Sequence, residues 1–543
     1  MLNLKAQKIL LIEDYSVMRM SIKKMLFLAD AELIIEAADA KIALAAMEKQ
    51  KFDIILCDYN LGEGKNGQQL LEEAKYRKLL PVTTIFIMIT AEQTQSMVLS
   101  AMENKPDEYL TKPFNAQQLL TRIEKQMLRK AYFIDIDQAI YKDNLPLAIA
   151  HCEKLLDQQE ARMRTQLLKI GAELAINVGD FRTATHYYQE VLDQRELAWA
   201  RLGVGIIAFL QNNFDDAIQT FKTVIQQAPM MMEPYDWLTK AYEATEKNYD
   251  AQETLNQAVE LSPQAILRQQ KLAILAEQAG DDASAKKAFK AAIKLGKFSV
   301  HKSCRDFSGL AKVYAKAKDT NDTKEALKLI KTMREEFSRH PEAELRAAHL
   351  EIGIHLKQNN KELADQAYAK IKQIIEKNHD MPKDLLLDIA EIHLLYGNID
   401  AGDKLIEDLI GNYVDDENFI NEVLRRYKNA NKNQSFAEDV FKRTKEELIK
   451  INNQGVNFFK QGNISAAFEL LDAAYIKMPN NKIIIMNLAK ILMRDIKASG
   501  ITNDKLSKIN TYLSKAATLG ISQDKTGIIK MELAKLIGTQ TNL

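Results

Sequence analysis

DIILCDYN, residues Asp53–Asn60, decides how the N-terminal part of this chain is read. Asp53–Cys57 is a short apolar run without polar alternation, the pattern of a strand covered on both faces. It is followed by an acid, Asp58. The same unit recurs on both sides. Lys8–Ile12 (KILLI), Leu33–Ala37 (LIIEA), Thr84–Ile89 (TIFIMI) and Asp107–Leu110 read as further strands. Between and after them, Ser16–Leu28, Asp39–Gln50, Gly67–Arg77, a segment ending about Met102, and Asn115–Arg129 carry apolar residues at helical spacing. Five such units predict an α/β doubly wound domain: a parallel sheet with helices on both faces.

The polar residues of this segment fall where strands end. Glu13 and Asp14 follow the first strand, Asp58 the third, Thr90 the fourth and Lys112 the fifth. In open parallel sheets the carboxyl ends of the strands form the ligand crevice. Three carboxylates, a hydroxyl and an ammonium therefore converge there. Adjacent carboxylates repel unless a cation lies among them, and Mg²⁺ favours oxygen donors of this kind. A carboxylate can also accept a phosphoryl group.

With these motifs in view, residues 8–125 resemble a response-regulator receiver domain of the chemotaxis type, a flavodoxin-like fold. The resemblance rests on Glu13–Asp14, on Asp58 in DIILCDYN, on Thr90–Ala91 in IMITAE, and on Tyr109-Leu-Thr-Lys112-Pro113-Phe114. It implies that Asp58 takes a phosphoryl group from the phosphohistidine of a sensor histidine kinase or phosphotransfer protein. It also implies that Asp14 binds Mg²⁺ directly, Glu13 through water, and Asn60 through its carbonyl. Thr90 and Lys112 would contact the phosphoryl group, and Thr90 and Tyr109 would form the switch. Asn60 and Glu92, two residues after Asp58 and Thr90, would tune dephosphorylation. The chain departs from the family in the loop Leu61–Gly67 (LGEGKNG), which lacks the usual proline, and at Lys105–Pro106, where Gly-Ala is common.

After residue 131 the strand pattern stops and a 34-residue period begins. Ala217, Ala251 and Ala285 keep this step, as do Phe221, Leu255 and Phe289, and Val224, Ala258 and Ala292. Pro229 and Pro263 follow at matching positions. This is the period of the tetratricopeptide (TPR) repeat, a helix pair that buries its apolar face only by stacking on neighbours. The clearest repeats span 198–299 and 448–481. Looser ones are read at 165–197, 304–341, 342–380, 383–413, 415–447 and 482–520, with a closing helix at Thr526–Ile537. The domain reading is a receiver at 1–128 and an all-α TPR solenoid at 129–543. Residues 115–145 contain no Pro, Gly or Ser, so the last receiver helix is expected to run on or turn tightly into the array.

Bulk properties narrow the function. With 74 Lys+Arg against 74 Asp+Glu the net charge is zero, which disfavours a general nucleic-acid binder. Residues 477–543 do carry eleven Lys/Arg against four Asp/Glu, read as a solvated face. Cys57, Cys152 and Cys304 fit neither a disulfide framework nor a zinc motif. With no signal core or 18-residue apolar run, a cytoplasmic protein without membrane insertion is expected. No motif of an enzyme acting on a separate substrate appears. The expected function is a phosphorelay response regulator that gates protein binding by the array. The alternative is a phosphate sink whose array localises or dimerises it.

Overall fold

The computed structural model describes residues 2–91, 99, 105–158, 163–316, 319–338, 340–375 and 381–540. Glu92 and most of the expected helix ending about Met102 lie outside the described residues.

The receiver elements are β1 (Lys8–Ile12), α1 (Ser16–Phe27), β2 (Leu33–Ala37), α2 (Ala40–Lys49), β3 (Ile54–Asp58), α3 (Gly67–Tyr76), β4 (Ile85–Thr90), β5 (Glu108–Thr111) and α4 (Ala116–Tyr141). The strands form one parallel sheet in the order β2-β1-β3-β4-β5. Alternate residues of each strand point to opposite faces. Leu10, Ile12, Ile55, Cys57, Phe86 and Met88 pack with α2 and α3 through Ala43, Leu44, Met47, Leu70, Leu71 and Ala74. Ile9, Leu11, Ile54, Leu56, Ile85, Ile87 and Ile89 pack with Ile22, Leu26, Leu119 and Ile123 on the other face. The edge strands β2 and β5 are the exceptions to the two-sided burial: Leu33 and Ile35 of β2 remain exposed, and in β5 only Leu110 is buried.

Strand ends differ slightly from the sequence pattern. Asp58 and Thr90 are the last residues of β3 and β4, not the residues after them. Both still pair within the sheet: Asp58 lies opposite Ile89, and Thr90 opposite Thr111. The backbone ladder therefore fixes these two side chains more firmly than a loop would.

α4 begins with a capping box in which Asn115 and Gln118 exchange side-chain-to-backbone hydrogen bonds, each 2.9 Å. It continues without a break to Tyr141. Arg122 and Gln126 bond Glu108, and Lys130 reaches the carbonyl of Val82 and the carboxylate of Asp107. Beyond these ties, Phe133, Ile136 and Ala139 are buried. Straight-chain and apolar residues with no helix breaker account for the length.

Paired helices follow. α5 (Leu145–Leu156), α6 (Arg164–Asn177), α7 (Phe181–Gln194), α8 (Ala198–Leu210), α9 (Phe214–Gln227), α10 (Glu233–Ala244), α11 (Asn248–Leu261), α12 (Ile266–Ala279) and α13 (Asp282–Gly296) lead to Cys304–Lys316. Ala217, Ala251 and Ala285 are all fully buried, and Phe221, Leu255 and Phe289 nearly so. The 34-residue period thus marks the seam where helices meet.

By compactness the chain forms two units. One comprises Met1–Asp143, Leu147–Ala172 and Ala184–Lys316, so the receiver shares it with the repeats at 198–299. The other comprises Asn144–Pro146, Glu173–Thr183 and Ala317–Leu543. In the second unit the units read at 415–447 and 448–481 share a helix, because Ser435–Lys460 is continuous. No Gly or Pro interrupts 435–454, so nothing forces a turn at the expected boundary. The last helix, Gln523–Gln540, crosses the end of α6 at Gly527, where a Cβ would overlap the carbonyl oxygen of Asn177.

Candidate functional site

Four of the residues singled out at the strand ends form one pocket. Glu13 is buried, fixed as its backbone N–H donates to the Ala37 carbonyl at 3.1 Å. Lys112 is placed by its own N–H donating to Thr90 O at 2.7 Å. Its Nζ lies 2.8 Å from Glu13 Oε2 and 3.0 Å from Asp58 Oδ1, bridging the two carboxylates. Oxygens of Glu13, Asp14 and Asp58 lie within 4.8 Å of one another, with Asp14 exposed at the mouth. Thr90 is fully buried beside them, while Asn60 is exposed. Tyr109 stands further along β5, its ring packed on the sheet face that holds Phe86 and Met88.

The electrostatics follow from this crowding. Burial, then the charge of Glu13, push the Asp58 carboxyl up to about 6, while Lys112 pulls it down. At neutral pH Asp58 is still mainly ionised. Burial alone would lower Lys112, but its hydrogen bond to Glu13 and the charge of Asp58 more than offset this and hold it above the ordinary lysine range. Cys57, buried behind the acid, is driven well above a normal thiol by burial and by the two carboxylates. It stays protonated and serves as packing.

An oxygen-lined group of three acids with one open edge suits a hard divalent cation, and Asp14, Asp58 and the neighbouring Asn60 are the donors at hand.

Four supporting residues were not singled out in the sequence. Arg19 donates from Nη1 to the Glu13 carbonyl at 2.6 Å and from Nε to Glu36 at 3.1 Å. Lys23 joins it on Glu36 at 2.6 Å. Their one-turn spacing on α1 was a readable signal. Gly62, at φ +71°, lies over the pocket, and a Cβ there would meet Asp14 Oδ2 at 3.4 Å. Gly67, the first residue of α3, lies so close to β3 that a Cβ would overlap the carbonyl oxygen of Asp58. That glycine lets α3 start directly against the strand that carries the acid.

A second cluster of acids lies in the repeats of the C-terminal unit. His349, Asp388 and Glu391 have donor atoms within 4.8 Å of one another. Here arginines already fill the space. Arg426 pairs with Asp388 at 2.7 Å, with Glu422 at 3.1 Å, and with Glu391. Arg346 pairs with Asp384 at 2.5 Å and Glu342 at 2.8 Å.

Comparison with known proteins agrees with this geometry. The family described as response regulator receiver domain matches residues 9–124, and tetratricopeptide repeat matches 171–229. The chemotaxis protein CheY of Pseudomonas aeruginosa is 33% identical over 118 residues, covering 22% of this chain and 94% of CheY. CheY-3 of Vibrio cholerae is 33% identical over 124 residues, covering 22% of this chain and 92% of that protein. Among solved structures, a CheY-like receiver domain from Methanospirillum hungatei is 28% identical, with a TM-score of 0.21, and the match covers 23% of this chain and 96% of that one. The chain belongs to the response-regulator family: it is a receiver domain followed by TPR repeats, a non-enzymatic signalling protein. Receiver domains pair with histidine kinases, and TPR repeats bind proteins. Among the described residues, no helix is long and apolar enough to cross a membrane.

Proposed function

We propose that Asp58 is the phosphoacceptor of a phosphorelay and that its phosphorylation controls protein binding by the repeat array. The observation that carries this reading is the single ammonium of Lys112 spanning Glu13 and Asp58 at the carboxyl edge of the sheet. An ionised Asp58 oxygen attacks the phosphorus of a partner's phosphohistidine. The phosphorus–nitrogen bond breaks, the imidazole leaves with its electron pair, and an acyl phosphate remains on Asp58. Lys112 offsets charge on the transferred group, and the Thr90 hydroxyl bonds one of its oxygens. Asp14 and Asp58, with the carbonyl of Asn60 and with Glu13 through water, would hold Mg²⁺. When bound, that ion neutralises phosphoryl charge during transfer.

Tyr109 and Thr90 form the switch in this reading, and Asn60 and Glu92 set the lifetime of the acyl phosphate. The receiver extends to about residue 128, and the array from 129 to the last repeat. Three buried free cysteines fit a reducing cytoplasm. The test is labelling of the full chain by acetyl phosphate with Mg²⁺. Labelling that survives Asp58→Asn overturns the assignment. A Glu92→Arg chain should keep its label several-fold longer than the parent.

A further inference from the structure

α3 faces the repeats, and its contacts are specific. Glu72 Oε2 accepts from Ser299 Oγ at 2.7 Å, and Glu72 Oε1 lies 3.4 Å from His301 Nε2. One turn earlier, Gln69 Nε2 donates to the Leu295 carbonyl at 3.5 Å. Leu99 packs on the cluster of Met232, Tyr235 and Ala258. The polar contacts of α3 run to Leu295 and to the turn after α13, far along the array.

Beside this contact lies a cleft of about 450 Å³ between Gln68 and Glu72 of α3 and the helices α10 and α12. Its repeat wall carries Lys240, Arg268 and Lys271. Asp236 holds Arg268 through two bonds of 2.7 and 2.8 Å, and Glu243 holds Lys271. Cations outnumber acids on that wall, and the imidazole of His301 adds to them in its protonated form. The carboxylate of Glu72 balances the excess. Helices that dock in grooves do so through side chains three or four residues apart, and Gln69 and Glu72 stand at that spacing with polar contacts to the repeats.

We infer that the repeat wall of this cleft, with Ser299 and His301, is the array's partner site, that α3 covers it as an internal competitor, and that the partner is a helix presenting a carboxylate in the place of Glu72 with an amide one turn before it. Ser299 and His301 are the specificity-determining pair. The inference rests on the phosphoacceptor reading only for its trigger. Gly67 seats the start of α3 on the backbone of Asp58, so a rearrangement of the 58–66 loop on phosphorylation bears directly on α3. The path from acid to cleft is then one helix long.

Amide exchange and peptide binding on the full chain test this. The probe is a fluorescein-labelled peptide of residues 66–78. Glu72→Arg sets a cation against the cationic wall and should empty the cleft. Exchange then rises at least fivefold in 233–244 and 295–303, with 8–58 unchanged, and the peptide binds at least tenfold tighter than to the parent. A Ser299→Ala/His301→Ala chain should open equally but gain no peptide binding, since the carboxylate's partners are gone. Unchanged exchange in both variants, or equal peptide binding by the parent and Glu72→Arg, overturns the inference. Beryllofluoride with Mg²⁺ on the parent should raise exchange in 295–303. If it changes nothing there while Glu72→Arg still opens the cleft, the phosphorylation trigger fails and the partner site stands.

Discussion

Two acid clusters in this chain look alike on paper and differ in what they can do. Glu13 and Asp58 share one ammonium, Lys112, and Asp14 beside them opens to solvent. Asp388 and Glu391, with His349, are spanned by the guanidinium of Arg426, itself buried, with Arg346 close by. Burial would depress Arg426, but Asp388 and Glu391 more than offset it and raise its pKa. The first cluster has one ammonium between two of its acids and is open to solvent at the third. The second is a closed network that fixes the stacking of helices. Proximity of acids is therefore not enough to define a site. What separates the two is the access of solvent at Asp14 and the buried guanidinium groups that already fill the second cluster.

The sharpest way to break this comparison is to exchange the acids for amides. Asp58→Asn should abolish phosphoryl uptake completely while the chain stays folded, measured by radiolabel transfer and circular dichroism. Asp388→Asn should leave uptake at the parent level. Equal loss in both would mean that the two clusters are not distinct in kind.

Next in size is the removal of the buried cation. Arg426→Met leaves Asp388 and Glu391 without their main partner. A break in a buried ion network costs about 3–5 kcal/mol. Denaturant unfolding should show the loss in the C-terminal unit, with the receiver transition unmoved. A change below about 1 kcal/mol would place the pair with weakly contributing surface bridges instead.

Asp306 sharpens the contrast, because it is buried with an amide partner in place of a cation. Gln270 Nε2 donates to it at 2.8 Å. Burial pushes its carboxyl up to about 6, and the hydrogen bond only partly offsets this. Its pKa is thus higher folded than unfolded. The folded state keeps its full stability below the ordinary carboxylate range and loses some as pH rises through about 6. Asp306→Asn should stabilise the chain at pH 8, by up to about 3 kcal/mol at roughly 1.4 kcal/mol per pH unit. The two melting curves should converge near pH 4. A difference that does not vary with pH would show that Asp306 is not the titrating group.

The smallest effect concerns a neutral cap. Asn115→Ala removes the acceptor for the Gln118 N–H at the start of α4. A lost N-cap costs about 1 kcal/mol. Faster amide exchange in 116–120 should report it, with phosphoryl uptake unchanged.

Much of the pocket was legible because strand ends are fixed by strand register. Once the apolar runs were placed, Glu13, Asp58, Thr90 and Lys112 had to meet at one edge. The supports of that pocket were less legible. Arg19 reaches a backbone carbonyl, and Gly67 matters through a close approach that spacing does not encode. In the repeats, the alanine seam announced itself by its period, whereas the continuous helix Ser435–Lys460 did not, because helix ends set by packing leave no residue signature.

The sequence alone determined the two architectures and the identity of the acid edge, since period and strand order are local properties of the chain. It also set the length of α4, by the absence of any breaker. Only the tertiary structure decided which acids are neutralised and which stay available, and which receiver surface meets the repeats. Glu72 and Ser299 are 227 residues apart, and no local rule couples them. Such pairings arise from the stacking of many helix pairs, whose small rotations add up in space and not in sequence.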